Sequence, residues 1–279
     1  MPSYEAVPPQ AGGVYSFFLV AGPANVKGAY TQLAASTGSD SAKFWVYLLS
    51  QGTNVSYLTD VATGAAASEV VLIADMMTQT GTQSARNIGS SSAQYFADIP
   101  ASTRIAARMQ TNTPFTNFEI AMMLVGDATE SLPIPTTYGA IPATSHGTLI
   151  DPGAVLNTKG AYVQITASTA ALHQFVTTLF GNNQNVSPQL NIWGIDVAVG
   201  AAASEVIFLP DIKLIADAFT DQLYPAGTFW HVDDLPASSR LAVRAATNTT
   251  NAVDRVFEVV LICGEVPTIV TGGGSVAVF

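Results

Sequence analysis

Apolar and polar positions alternate along this chain in short runs, and the alternation has the two-residue period of strands on a half-buried sheet. Phe44 to Leu49, Val70 to Ile73, Arg104 to Met109, Gln189 to Val199, Val206 to Leu209 and Val256 to Cys263 carry it most clearly. Turn-forming clusters separate the runs, among them Gly38-Ser39-Asp40, Gln51-Gly52-Thr53-Asn54, Gly181-Asn182-Asn183, Thr111-Asn112-Thr113 and Thr247-Asn248-Thr249. Many short strands with regular breaks predict an all-β sandwich or jelly roll rather than βαβ units. One window dissents. Ile212 to Asp221 places Ile212, Leu214, Ile215, Ala218 and Phe219 at spacings compatible with a short helical turn.

The pattern is also written twice. Asn25-Val26-Lys27-Gly28-Ala29-Tyr30-Thr31-Gln32 returns as Asn157-Thr158-Lys159-Gly160-Ala161-Tyr162-Val163-Gln164, and Asp60-Val61-Ala62-Thr63-Gly64-Ala65-Ala66-Ala67-Ser68-Glu69 as Asp196-Val197-Ala198-Val199-Gly200-Ala201-Ala202-Ala203-Ser204-Glu205. Pro100-Ala101-Ser102-Thr103-Arg104 then matches Pro236-Ala237-Ser238-Ser239-Arg240, and Phe118-Glu119 matches Phe257-Glu258. Collinear blocks of this kind predict an internal duplication of a unit of about 105 residues, an ordinary domain size. The expected organisation is an arm over 1–22, a first β-sandwich over 23–127, a linker over 128–151, a second β-sandwich over 152–266 and a tail over 267–279. The segment between the units holds Pro133, Pro135 and Pro142 and reads as extended linker.

Charge narrows the function. Only 11% of the 279 residues are charged, against roughly 25% in an average soluble protein, and Lys+Arg 10 against Asp+Glu 20 gives a net charge of −10. That balance offers no basic surface for a phosphate backbone, so direct contact with nucleic acid is not expected. No apolar run approaches the roughly 20 residues of a spanning helix, and the segment Val14 to Ala21 lacks the cationic lead of a secretory signal. Synthesis in a host cytoplasm and no membrane partner are expected. The single Cys263 sits in Val259-Val260-Leu261-Ile262 and reads as a buried small hydrophobe.

Candidate chemistry is sparse. The matched charged positions are Lys27 and Lys159, Asp60 and Asp196, Glu69 and Glu205, Asp75 and Asp211, Arg104 and Arg240, Arg108 and Arg244, Glu119 and Glu258. In so charge-poor a chain they are expected to pair with one another and brace loops and strand ends, with Arg104 and Arg108 on one strand face. A rival reading places a polar groove or an enzyme site at Asp60, Glu69 and Arg104 and their counterparts. The Gly64 and Gly200 loops lack the Lys and hydroxyl of a phosphate loop and read as strand connections. His146, His173 and His231 have no counterpart in the other copy and no metal-ligand spacing, so no cofactor or metal is expected; His231 with Asp233 and Asp234 is a weak cation candidate. No serine lies in a nucleophile elbow. Tyr224, Phe229 and Trp230 form an aromatic cluster peculiar to the second copy, a candidate for stacking on sugar rings or for filling an interface.

The repeated blocks resemble a module of structural proteins from tailed bacteriophages and their prophage relatives. The resemblance rests on Gly-Ala-Tyr-x-Gln at Gly28 and Gly160, Asp-Val-Ala-x-Gly-Ala-Ala-Ala-Ser-Glu at Asp60 and Asp196, and Pro-Ala-Ser at Pro100 and Pro236, with Ser102 and Ser238 where the module has a turn glycine. It implies a non-enzymatic virion protein: capsid decoration or cement, a head-attached component, a fibre, or a carbohydrate- or receptor-binding tail module. It also implies a homo-oligomer, a trimer being one arrangement, and other virion proteins as partners, with a glycan as the alternative ligand. It carries over no catalytic residue.

Overall fold

The computed structural model describes residues 4–7, 16–49, 56–79, 92–114, 116–126, 132–181, 190–216, 223–224, 227–266, 268–271 and 274–277. Every regular element among them is a strand, so the protein is all-β. The first half holds β1 (Tyr4–Val7), β2 (Phe17–Val20), β3 (Thr31–Ala34), β4 (Ser41–Leu49), β5 (Ser56–Thr63), β6 (Val70–Gln79), β7 (Ser92–Ile99), β8 (Ile105–Thr111) and β9 (Asn117–Gly126). The second holds β10 (Thr136–Tyr138), β11 (Thr148–Ile150), β12 (Val163–Thr166), β13 (His173–Gly181), β14 (Asn191–Val199), β15 (Val206–Ala216), β16 (Leu223–Tyr224), β17 (Gly227–Leu235), β18 (Leu241–Thr247) and β19 (Phe257–Gly264). A ribbon of β20 (Thr268–Thr271) and β21 (Gly274–Ala277) follows.

Each half is a pair of antiparallel sheets. In the first, β1-β9-β4-β7, with β2 also on β9, packs against β3-β8-β5-β6; in the second, β10-β19-β13-β17, with β11 on β19, packs against β12-β18-β14-β15-β16. Apart from the short β16, the second order repeats the first strand for strand. The expected boundaries therefore move. The arm over 1–22 contributes β1 and β2 to the first sandwich, and the linker over 128–151 contributes β10 and β11 to the second. Strands of three or four residues are too short to stand out as a pattern, which is why the sequence reads them as connection. The expected helical turn is corrected as well: Ile212 to Ala216 continue β15, with Leu214 facing the core and Ile215 facing out, and the rest of that window lies outside the described residues.

The inward residues follow from the alternation. On β9, Phe118, Ile120, Met122 and Leu124 are buried while Asn117, Glu119, Ala121 and Met123 between them are not, the signature of a sheet with one covered face. They join Phe44, Val46, Tyr57, Val61 and Ile105 in the first core. The second core gathers Trp193, Ile195, Val197, Phe257, Val259, Leu261 and Cys263. Burying each such side chain contributes roughly 1.5–3 kcal/mol. Trp193 is fully enclosed because its indole N–H donates to Arg255 O at 2.7 Å, leaving no polar atom unpaired.

Strand β19 breaks the rule of alternation, for all its residues are buried. Its second face is covered by the first half. Leu179, Val260 and Ile262, on the outer face of the second half's sheet, join the first half's core, and Met77 of β6 lies against the positions of Gly147 and Gly181. A Cβ on Gly147 would fall 2.9 Å from the Met77 sulfur, so the small residues make room for it. Thr137 Oγ donates to Ala74 O at 2.5 Å and Thr177 Oγ to Gln94 O at 3.3 Å across the same junction. The β6 and β7 edges of the first sandwich thus sit on the outer sheet face of the second.

Candidate functional site

The matched charged residues assemble into one cluster per half, and local geometry explains each position. Asp60 and Arg108 are register partners on β5 and β8, both on the outer face, and Arg108 Nε donates to Asp60 Oδ2 at 2.9 Å. A bulge in β6 opposite Asp60 puts Asp75 in the left-handed region at φ 53° and aims its backbone N–H at Asp60 Oδ1, 2.9 Å away. Lys27 Nζ closes the group at 2.7 Å from both Asp60 Oδ1 and Asp75 Oδ1. The glycine after it is required: a Cβ at Gly28 would lie 2.1 Å from Val20 O, and at Gly160 2.5 Å from Pro152 O. The second half repeats the arrangement, with Lys159 Nζ at 2.7 Å from Asp196 and 2.9 Å from Asp211, Arg244 Nε at 2.9 Å from Asp196, and Asp211 at φ 50°.

These groups are spent on one another. Asp60 and Asp196 are each 3% exposed and both carboxylate oxygens of each accept from protein donors. Burial pushes the Asp196 carboxyl up, but the hydrogen bonds from Lys159, the Asp211 N–H and Arg244 outweigh it and hold it below the ordinary range. Tyr30 lies under the Arg108 guanidinium at 4.5 Å and Tyr162 under Arg244 at 4.6 Å, which accounts for the repeated tyrosine.

A second pair of contacts clamps the small-residue loops. Arg104 Nη1 donates to Glu69 Oε1 at 3.0 Å and to Gly64 O at 3.1 Å while its Nε donates to Gln32 Oε1 at 3.0 Å; Arg240 makes the same bonds to Glu205, Gly200 and Gln164 at 2.9, 3.2 and 3.0 Å. Gly64 and Gly200 adopt φ 102° and 117°, so these loops are tight strand connections.

Glu119 and Glu258 each have a partner outside the matched charged set. Glu119 accepts from Ser16 Oγ. Glu258, fully buried on β19, accepts from the Gly147 N–H at 3.1 Å and lies 2.8 Å from His146 Nδ1. The carboxylate raises the His146 pKa against the opposing effect of burial. His146 Nε2 in turn lies 3.4 Å from Asn112 Nδ2 of the first half. Its loop docks on the same surface: Gln110 Nε2 donates to Pro142 O at 2.6 Å and to Ser145 Oγ at 3.0 Å, and Ser145 Oγ donates to Asn25 Oδ1 at 2.9 Å. The histidine is a bridge between the halves. The sequence offers no signal for it: Asn112 matches Asn248, but the 139–147 loop belongs to none of the repeated blocks.

The other candidates are structural neighbours rather than a common site. Phe229 and Trp230 follow one another on β17 and so point to opposite faces. Phe229 stacks on Phe175 at 5.3 Å and meets Phe96 of the first half edge-on at 5.6 Å; Trp230 turns to the second core and donates to Thr178 Oγ at 3.2 Å. The side chain of Tyr224 lies outside the described residues. His231 meets the Phe229 ring edge-on at 5.0 Å and Asp234 accepts from Gln174 at 3.0 Å. His173 is buried 2.9 Å from the Tyr138 hydroxyl, and burial pushes its pKa down to about 4. Burial likewise pushes the Cys263 thiol up. Among the described residues no three His, Cys, Asp or Glu side chains converge as metal ligands.

No family model matches the sequence, and no curated protein is significantly similar to it. Solved structures align with it along most of their length, two of them as follows. A peptide-N(4)-(N-acetyl-β-D-glucosaminyl) asparagine amidase is 9% identical at a TM-score of 0.36, covering 94% of this chain and 96% of its own. The N-terminal CBM22-1-CBM22-2 tandem domain from Paenibacillus barcinonensis Xyn10C is 10% identical at a TM-score of 0.21, covering 94% and 91%. Likeness at these values carries no argument about the site.

Proposed function

We propose that this chain is a non-enzymatic assembly protein of the virion type, a capsid decoration or head-attached component built from two jelly-roll units that arose by duplication. The order β2-β9-β4-β7 against β3-β8-β5-β6 supports the jelly-roll reading, and its return in the second half supports duplication. The observation that carries the non-enzymatic reading is the state of the matched carboxylates. Asp60 and Asp196 sit under two cations and a backbone N–H in the same geometry in both halves, as sheet braces do. A catalytic carboxylate needs access to a reacting atom. The virion assignment rests on the repeated sequence blocks.

Immunogold labelling of gradient-purified particles from cells that make the chain tests the reading. Gold at a fixed position on the particles is expected. A chain found only in the soluble fraction, or a hydrolytic rate that disappears in Glu69→Gln while the fold survives, contradicts it.

A further inference from the structure

The two halves of this protein use different faces on one another, and each half also carries the register counterpart of the face that the other half uses. The β6 edge of the first half lies on the outer sheet face of the second, around Met77, Leu179, Val260 and Ile262. By register, Lys213 takes in the second half the place that Met77 takes in the first: Met77 pairs with Leu58, and Lys213 with Gly194. Met77 is fully buried, whereas the Lys213 side chain is 66% exposed, with Asp211 at 4.0 Å its nearest carboxylate. Beside it Ile192 and Ile215, direct register partners, are 40% and 39% exposed. Strands β14 and β15 therefore present an apolar pair next to one cation, where Met77 of β6 is covered.

The complementary face carries half-buried side chains among the described residues. On the first half's outer sheet face, Trp45 pairs with Met123 and Tyr47 with Ala121, all only half-buried, in the register positions that Thr177, Ile262, Leu179 and Val260 fill in the second half. The place of Glu258, which lines the Met77 site, is held by Glu119. Trp45, with Lys43 Nζ 4.8 Å over its ring, Tyr47 and Met123 offer aromatic and apolar area to the Ile192 and Ile215 pair, and a carboxylate stands where a lysine would arrive.

We infer that copies of this chain associate head to tail, with the β14–β15 surface of one copy on the β4–β9 outer face of the next and Lys213 directed at Glu119. The contact would use between molecules the register positions of the junction within one, with Leu49 in the place of Gly181. A heterologous contact of this kind extends, closing into a ring when its rotation permits and forming a filament otherwise. The Ile192 and Ile215 pair supplies apolar area, and the Lys213 to Glu119 pair fixes register and partner orientation.

This inference deepens the assembly reading, yet it is tested on the purified chain alone, so its failure is distinct from a failure of particle labelling. Sedimentation velocity over a range of concentrations is expected to give multiples of 29.0 kDa, one discrete multiple for a ring or a growing ladder for a filament. Lys213→Glu sets two acidic side chains against each other and is expected to weaken association about a hundredfold, as is Glu119→Lys. The double exchange Lys213→Glu with Glu119→Lys is expected to restore it. Ile192→Asp, at an exposed site remote from the Ser16 bond to Glu119, tests the same face if Glu119→Lys fails to fold. Wild type at 29.0 kDa throughout, or folded Lys213→Glu and Ile192→Asp variants that associate like wild type, overturns the inference.

Discussion

Asp60 and Arg108 face each other across β5 and β8 at 2.9 Å, and Asp196 and Arg244 repeat that pair at 2.9 Å on β14 and β18. Each aspartate is almost wholly enclosed, so it contributes through the partners that offset its desolvation. Asp60→Asn leaves Lys27 and Arg108 as neighbouring cations without their shared anion. It is expected to lower stability by about 3 kcal/mol in urea titration, with Asp196→Asn costing a similar amount. Glu69→Gln, which loosens a loop rather than the sheet centre, is expected to cost about 1 kcal/mol.

His173 sets an acid limit. Its folded pKa of about 4 lies below the value near 6.5 of an unfolded histidine, so the unfolded chain takes up a proton that the folded one refuses. Stability is unaffected above pH 6.5, falls as pH drops from there to about 4, and levels off below, for a total of about 3 kcal/mol. His173→Gln should flatten that part of a stability profile measured by denaturant titration.

His146 acts with the opposite sign. Its pKa is raised by Glu258, so the ion pair contributes fully below the unfolded value and is lost as pH rises through the higher folded one. Because the pair ties the 139–147 loop to both halves, the loss should be local. Hydrogen exchange at Gly147 and at the Gln110 to Asn112 segment is expected to accelerate as the pH rises above the ordinary histidine value near 6.5, beyond the intrinsic pH effect, and a His146→Gln variant should lack that excess.

Phe229 fills the aromatic junction with Phe96 and Phe175. Phe229→Ala is expected to cost about 2 kcal/mol, less than a fully buried phenylalanine because the ring is partly exposed. Trp230→Ala should cost a similar amount by unpacking the second core instead. The two variants differ in a glycan-binding assay only if one ring has a role beyond packing, and no difference is expected.

Much of the fold can be read from residue order. The alternation of Phe118, Ile120, Met122 and Leu124 announces a sheet with one covered face, and the repeated Lys-Gly-Ala-Tyr and Asp-Val-Ala blocks announce the braces, since each block carries one member of a cluster that closes only in space. Val256 to Cys263 was equally legible as a strand, but not its burial on both sides. That difference is written in Val260 and Ile262, where the first half has Ala121 and Met123, and only a partner surface gives those residues meaning. The β10 and β11 strands were too short for periodicity to register. His146 and Glu258 were out of reach for another reason: their contact joins a loop to a strand far along the chain, and no local pattern encodes a pairing of that kind.

The account stands on the claim that the matched ionic residues hold the two sandwiches together in the same way. Double-mutant cycles on stability for Asp60 with Arg108 and for Asp196 with Arg244 measure this directly. Favourable coupling of about 1–3 kcal/mol is expected, of similar size in the two halves. Coupling near zero in either, with folded single variants as stable as wild type, would contradict it.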